Sequence, residues 1–323
     1  MKHILIILAL CICFTKYIDA QSRKAYITNF DSDFISVIDL NTKEKITDIT
    51  TGKNPHGVDV SPDKKFIAVS NEGDNTVTII DAATNKVLNQ ISVGSHPNQL
   101  AFTKDGAWIF VTINASTVVD VVNTANWTIE KSITVGRNPH IALSSPDGTK
   151  MYVTLEGDNK IVEITIAKMQ VTGEIIMFGF PRIPVITQDG KTIFTTLRWF
   201  NGTVKVDLEK NKVVDWIQLP QAKTFPQEGK ASHGEGIRSD GKYLYVTSQI
   251  LNSVSVIDIH SQKIVKEIAV GKDPNWIDFT SDGKIAVVSN TGDNTVSVID
   301  LASNKVIKTL PVGKSPKRLV VTK

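Results

Sequence analysis

Cysteine occurs only at Cys11 and Cys13, so from residue 21 onward the chain has none. That excludes disulfides, thiol nucleophiles, cysteine-ligated clusters and the Cys-X-X-Cys-His haem attachment from everything after the leader. A net charge excess is also missing. Without Lys2, Lys16 and Asp19 the balance is 34 basic to 32 acidic residues, or +2, too small a field to attract nucleic acid or an anionic membrane. No serine nucleophile elbow and no phosphate loop are found. Beyond the first twenty residues no apolar run is long enough to span a bilayer.

Those first residues form a unit of their own. Lys2 and His3 precede the apolar run Ile4 to Phe14, and Ile18-Asp19-Ala20 ends on a small residue. This is the pattern of a secretory signal peptide over 1–20, cleaved before Gln21, with 21–323 as one domain. The protein is therefore expected to be exported, to a periplasm, a cell surface or the medium.

The domain is repetitive. A short strand pattern recurs at Tyr26, Ala68, Phe110, Tyr152, Phe194, Tyr245 and Val287, with a spacing of 42 residues except for one interval of 51. Each unit reads as four short β-branched runs separated by turns, without a helical period. Aspartates 63, 105, 147, 189, 240 and 282 hold one equivalent turn position, and five are followed by glycine, which supplies the positive φ of a tight turn. The expected fold is all-β: a seven-bladed β-propeller of four-stranded antiparallel blades. The chain begins on the second strand of a blade and ends, at Arg318 to Thr322, on a first strand. The carboxy-terminal strand is therefore expected to join the amino-terminal blade and close the ring, removing two exposed edges.

Tyr245-Val246-Thr247 and Tyr152-Val153-Thr154, with Asn75 to Asp81 and Asn294 to Asp300 as the strand that follows, resemble the YVTN-type seven-bladed propellers over residues 25 to 322. The resemblance implies the fold and an exported bacterial or archaeal protein, often of unassigned function. Architecturally similar propellers include lactone hydrolases and the large subunit of quinoprotein amine dehydrogenases.

Where seven copies agree, folding explains the residue; departures are where function is sought. The connection into each first strand ends in Pro-X, and the X residues are His56, Asn98, His140, Arg182, His233, Asn275 and Lys317, with Ser232 in place of proline in the fifth copy. Propeller geometry puts them in one polar ring at a mouth of the central channel. His56, His140 and His233, at alternate blades, are the residues that would hold a divalent metal. Tightly spaced histidine pairs are absent, so the expectation is a rim bonded to water and backbone, with no cofactor.

The fifth copy departs most. Its nine extra residues lie within 220–232, and Glu235 stands where siblings are apolar or proline. Strand alternation predicts that Glu235 faces the same way as His233, with Arg238 as its ion-pair partner. The fourth copy carries Arg198-Trp199-Phe200 where others read Gly-Asp. The expected ligand site is thus the mouth over blades 4 to 6: Arg182, Arg198, Trp199, Phe200, His233, Glu235, Asn275 and Trp276. The leading expectation is a monomeric binding module for a small molecule or an extracytoplasmic protein. The alternative is a lactone hydrolase or lyase, with His233 as base, Glu235 orienting or protonating and Arg182 holding oxyanion charge. A further alternative is an accessory subunit of a redox complex whose redox group belongs to a partner.

Overall fold

The computed structural model describes residues 23–221 and 230–322; the leader, and Lys223 and Phe225 of the inserted loop, lie outside the described residues. Seven four-stranded antiparallel sheets follow one another around an axis. Blade 1 runs from its inner strand Pro55–Val60 through Phe66–Asn71 and Thr76–Asp81 to the outer Lys86–Ser92. Blades 2 to 6 begin at Pro97, Pro139, Pro181, Ser232 and Pro274. Blade 7 is composite: Pro316–Val321 is its inner strand and pairs with Lys24–Asn29, placing Val321 opposite Ala25. The ring is closed as the repeat phase predicts.

Burial follows from the pattern. In each blade the second and third strands are almost wholly buried, and the outer strand is mostly exposed with one buried residue near its end, Ile91 in blade 1. The apolar side chains meet between blades, each of seven clusters joining two neighbours; Tyr26, Val37 and Val320 of blade 7, for example, pack against Val58, Ile67 and Val69 of blade 1. The turn aspartates are structural. Asp63 accepts from the Ser61 hydroxyl at 2.7 Å, and Asp105, Asp147, Asp189 and Asp282 repeat the bond, while Gly106, Gly148, Gly190, Gly241 and Gly283 all have positive φ.

One irregularity in every inner strand decides what faces the channel. Pro55 pairs with Asn71 but Val58 pairs with Val69, so the inner strand carries one extra residue, a β-bulge. The same shift recurs in the other six blades. A bulge strands a backbone amide, and the Ser or Thr of the second strand takes it up: Ser70 Oγ accepts from Gly57 N at 2.8 Å and donates to Asn98 O of blade 2 at 2.8 Å. Thr112 does the same for Gln99 N and His140 O, Thr196 for Ile183 N and His233 O, and Thr28 for Arg318 N and His56 O. The repeated hydroxyl therefore pins the backbone of six ring residues to the preceding blade, while Asn275 O is met by His233 Nδ1 and Thr247 turns to Gly234 O of its own blade.

Candidate functional site

The bulges turn the ring residues inward, and they converge. Asn98, His140, His233 and Asn275 are buried, with His56, Arg182 and Lys317 half-buried around them. At the centre sits Arg318, one residue past the ring and only 1 % exposed. Its Nη1 donates to Asn275 Oδ1 at 3.2 Å and lies 3.4 Å from His233 Nδ1; its Nη2 lies 3.4 Å from His140 Nε2. The guanidinium carbon stands 4.4 Å from the Trp276 ring centroid, a cation–π contact.

Two carboxylates border this centre and both are engaged. Glu72 Oε2 is 2.9 Å from His56 Nδ1, and Glu156 Oε1 accepts from Arg182 Nε at 2.9 Å. Phe30 closes the ring edge, meeting His56 edge-to-face at 5.6 Å, with Lys317 Nζ 5.5 Å from its ring centroid. Burial pushes the histidines toward the neutral form, His56 down to about 4 and His140 to about 3, and drops His233 well below its ordinary value. Desolvation, then repulsion from Arg182, lowers Arg318 to about 9.

The expected site residues divide into three groups. Arg182, His233, Asn275 and Trp276 lie in or beside the channel, as do His56 and His140. The histidines do not face a shared void: His140 and His233 meet the Arg318 cation, which repels a metal ion, and His56 is held by Glu72. Among the described residues no group of three His, Cys, Asp or Glu side chains is placed to hold a metal. Arg198 and Trp199 form the adjoining rim, the guanidinium 5.8 Å from the Trp199 ring centroid and Trp199 48 % exposed. Phe200 leaves that surface, packing edge-to-face on Trp216 at 5.3 Å and against the core between blades 3 and 4.

Glu235 departs from its expectation. The bulge adds a residue between Ser232, opposite Ser248, and Glu235, opposite Val246, so alternation from His233 fails. The Glu235 side chain is 2 % exposed and neither carboxyl oxygen has a hydrogen-bond partner. Burial raises its pKa well above the ordinary value; the Thr203 hydroxyl of blade 4 opposes this weakly, from outside good bonding geometry. Arg238 is not its partner. It bonds Asp240 at 2.5 Å and covers the Tyr243 ring at 4.4 Å, taking the part that Ser or Thr plays toward the turn aspartate in sibling blades. His233 and Glu235 are therefore not an acid–base pair.

Sequence comparison missed Arg318, Glu72, Glu156 and the aromatic rim residues Phe178 and Phe180. The signal for Arg318 was present at the position after the ring, which reads Gly57, Gln99, Ile141, Ile183, Gly234, Trp276 and Arg318. Strict alternation skips that position; the bulge brings it to the axis.

A family model described as a YNCE-like beta-propeller matches residues 8–121 and 227–322. The chain belongs to that family. No curated protein matches the sequence. Among solved structures, this YNCE-like propeller is similar to the periplasmic gluconolactonase PpgL of Pseudomonas aeruginosa, at 19 % identity and TM-score 0.76 over 94 % of this chain and 99 % of that one. It is also similar to hydrazine synthase of Kuenenia stuttgartiensis, at 22 % identity and TM-score 0.75 over 83 % and 95 %. A functionally unknown protein of Desulfotomaculum acetoxidans matches at 14 % identity and TM-score 0.80 over 92 % and 98 %. At these identities the likeness is one of fold.

Proposed function

We propose that this YNCE-like propeller is an exported, non-catalytic binding protein whose ligand enters the channel mouth beside blades 3 to 5. The observation that carries the reading is an aromatic rim set next to cations. Phe178 is 65 % exposed, Trp199 48 % and Phe180 36 %, and the Phe180 carbonyl accepts from the amide of Arg198, the residue before Trp199, at 3.2 Å. Exposed aromatic area of this kind has no folding role and suits stacking against a ligand. Arg182 and Arg198 lie on the channel side of it, so polar groups of the ligand would be drawn inward.

The hydrolytic alternative gains no support from Glu235, which is buried beside Thr203 of blade 4 and follows a bulge that breaks its alternation with His233. A thermal-shift screen covering aromatic acids, sugar acids and short peptides tests the binding reading. One class should raise the melting temperature of the wild type. The double variant F180A/W199A should abolish that rise while its ligand-free melting temperature stays close to wild type. A rise that survives both substitutions refutes the rim as the binding surface.

A further inference from the structure

We propose that the channel floor is a monocarboxylate subsite, in which Arg318 binds the acid group of the ligand. The inference deepens the channel-mouth reading and rests on it only for the direction of approach.

The argument begins with an unfinished set of hydrogen bonds. A guanidinium has five N–H donors and water normally serves those the protein leaves open. Arg318 is 1 % exposed, and its Nε has no partner among the described residues. One apparent contact is not a bond. His233 Nδ1 lies 2.8 Å from Asn275 O, a pure acceptor, so Nδ1 carries the hydrogen and cannot also accept from Arg318 Nη1. His140 is different: its Nδ1 faces Arg182 O at 3.4 Å, which leaves Nε2 to accept from Nη2. One Nη1 hydrogen is thus spent on Asn275 and one Nη2 hydrogen on His140. Nε–H and one hydrogen on each of Nη1 and Nη2 remain, and Nε–H with Nη2 is the side-on edge that takes a carboxylate in two parallel bonds.

Charge points the same way. Among the described residues no carboxylate pairs with Arg318. Arg182 repels Arg318, and the nearby carboxylates Glu156 and Glu72 are bonded to Arg182 and set against His56. A buried cation left without a bonded counter-ion is costly. One monoanion balances it. A phosphate dianion would overshoot and would need more donors than this edge offers. The unpartnered acceptors Asn98 Oδ1 and Gln99 Oε1, buried on the same inner strands, suit a hydroxyl or amide elsewhere on the ligand.

The test uses acetate, benzoate and inorganic phosphate as probes on the full domain in chloride-free buffer. The Arg318 Nε–H resonance, assigned by its loss in R318K, is followed by ¹⁵N NMR during each titration. Saturable movement with acetate and benzoate, and binding at least ~10-fold weaker by calorimetry in R318Q, supports the proposal. No movement with either acid overturns it, as does carboxylate binding that R318Q leaves unchanged, or phosphate binding tighter than both acids. If R318Q does not fold, the wild-type titration alone decides. Acetate lacks an apolar body and should bind F180A/W199A as it binds wild type. Failure here therefore leaves the rim reading standing, and failure of the rim leaves this one.

Discussion

Replacing Glu235 by glutamine should make the protein more stable, and increasingly so as pH rises. The carboxyl is enclosed between blades 4 and 5 with no ion-pair partner, and desolvation raises its pKa well above 4.5. The sign follows from proton linkage. The folded state holds this proton more tightly than the unfolded chain, so folding stability is fully present below the unfolded pKa. It is lost as pH climbs from there toward the folded value. The limiting slope is about 1.4 kcal/mol per pH unit between the unfolded and the folded value. Glutamine keeps the shape and does not titrate. Urea denaturation followed by tryptophan fluorescence, on wild type and E235Q in steps from about pH 4.5 to 7, measures the gap between them. Neutral buried histidines pull the other way, costing stability as pH falls from about 6.5 toward the depressed values of His56 and His140. They are common to both proteins and cancel in the difference. Parallel profiles, with a gap that does not widen with pH, would refute the account of an enclosed neutral acid.

Other consequences are as direct. T196V removes the hydroxyl that serves Ile183 N and His233 O, and should cost about 1–3 kcal/mol in chemical denaturation. G57A places a methyl group 2.3 Å from Gln99 Oε1 and 2.6 Å from Asn98 O, so it should lose about 1–3 kcal/mol in chemical denaturation. R238S restores the sibling residue beside Asp240 and should change stability by no more than about 1 kcal/mol, since the pair it removes is partly solvated. Deleting Pro316 to Lys323 leaves Lys24–Asn29 without its inner neighbour; the truncated chain should lose its cooperative melting transition and sediment as aggregates.

The fold was legible in the sequence because its determinants are local and repeated seven times. Strand runs, Asp-Gly turns and a strand phase offset between the two ends suffice to specify a closed ring. The site was legible in part. The ring from His56 to Lys317 could be read because a proline precedes every member but His233, which the repeat spacing places. Arg318 and the orientation of Glu235 could not, since both depend on a bulge that shifts side-chain parity by one, and its trace in the sequence, a Ser or Thr on the second strand, is equally common in unbulged strands. Phe200 was misread for a related reason: it neighbours exposed Trp199 in the chain but faces the opposite side of its strand, toward Trp216. Glu72 and Glu156 stand two repeats apart in the same Glu-Gly-Asp loop, so their placement was legible, but the different partners they take, His56 and Arg182, are set by packing.

The strand that welds the ring shut is also the one that brings Arg318 to the axis. Competence to bind an acid and completion of the fold are consequently a single event. A chain halted with its last strand undocked has six intact blades' worth of structure yet an axis without its central cation. It cannot sequester ligand before it is whole, and any ligand that grips Arg318 holds the two ends of the protein together.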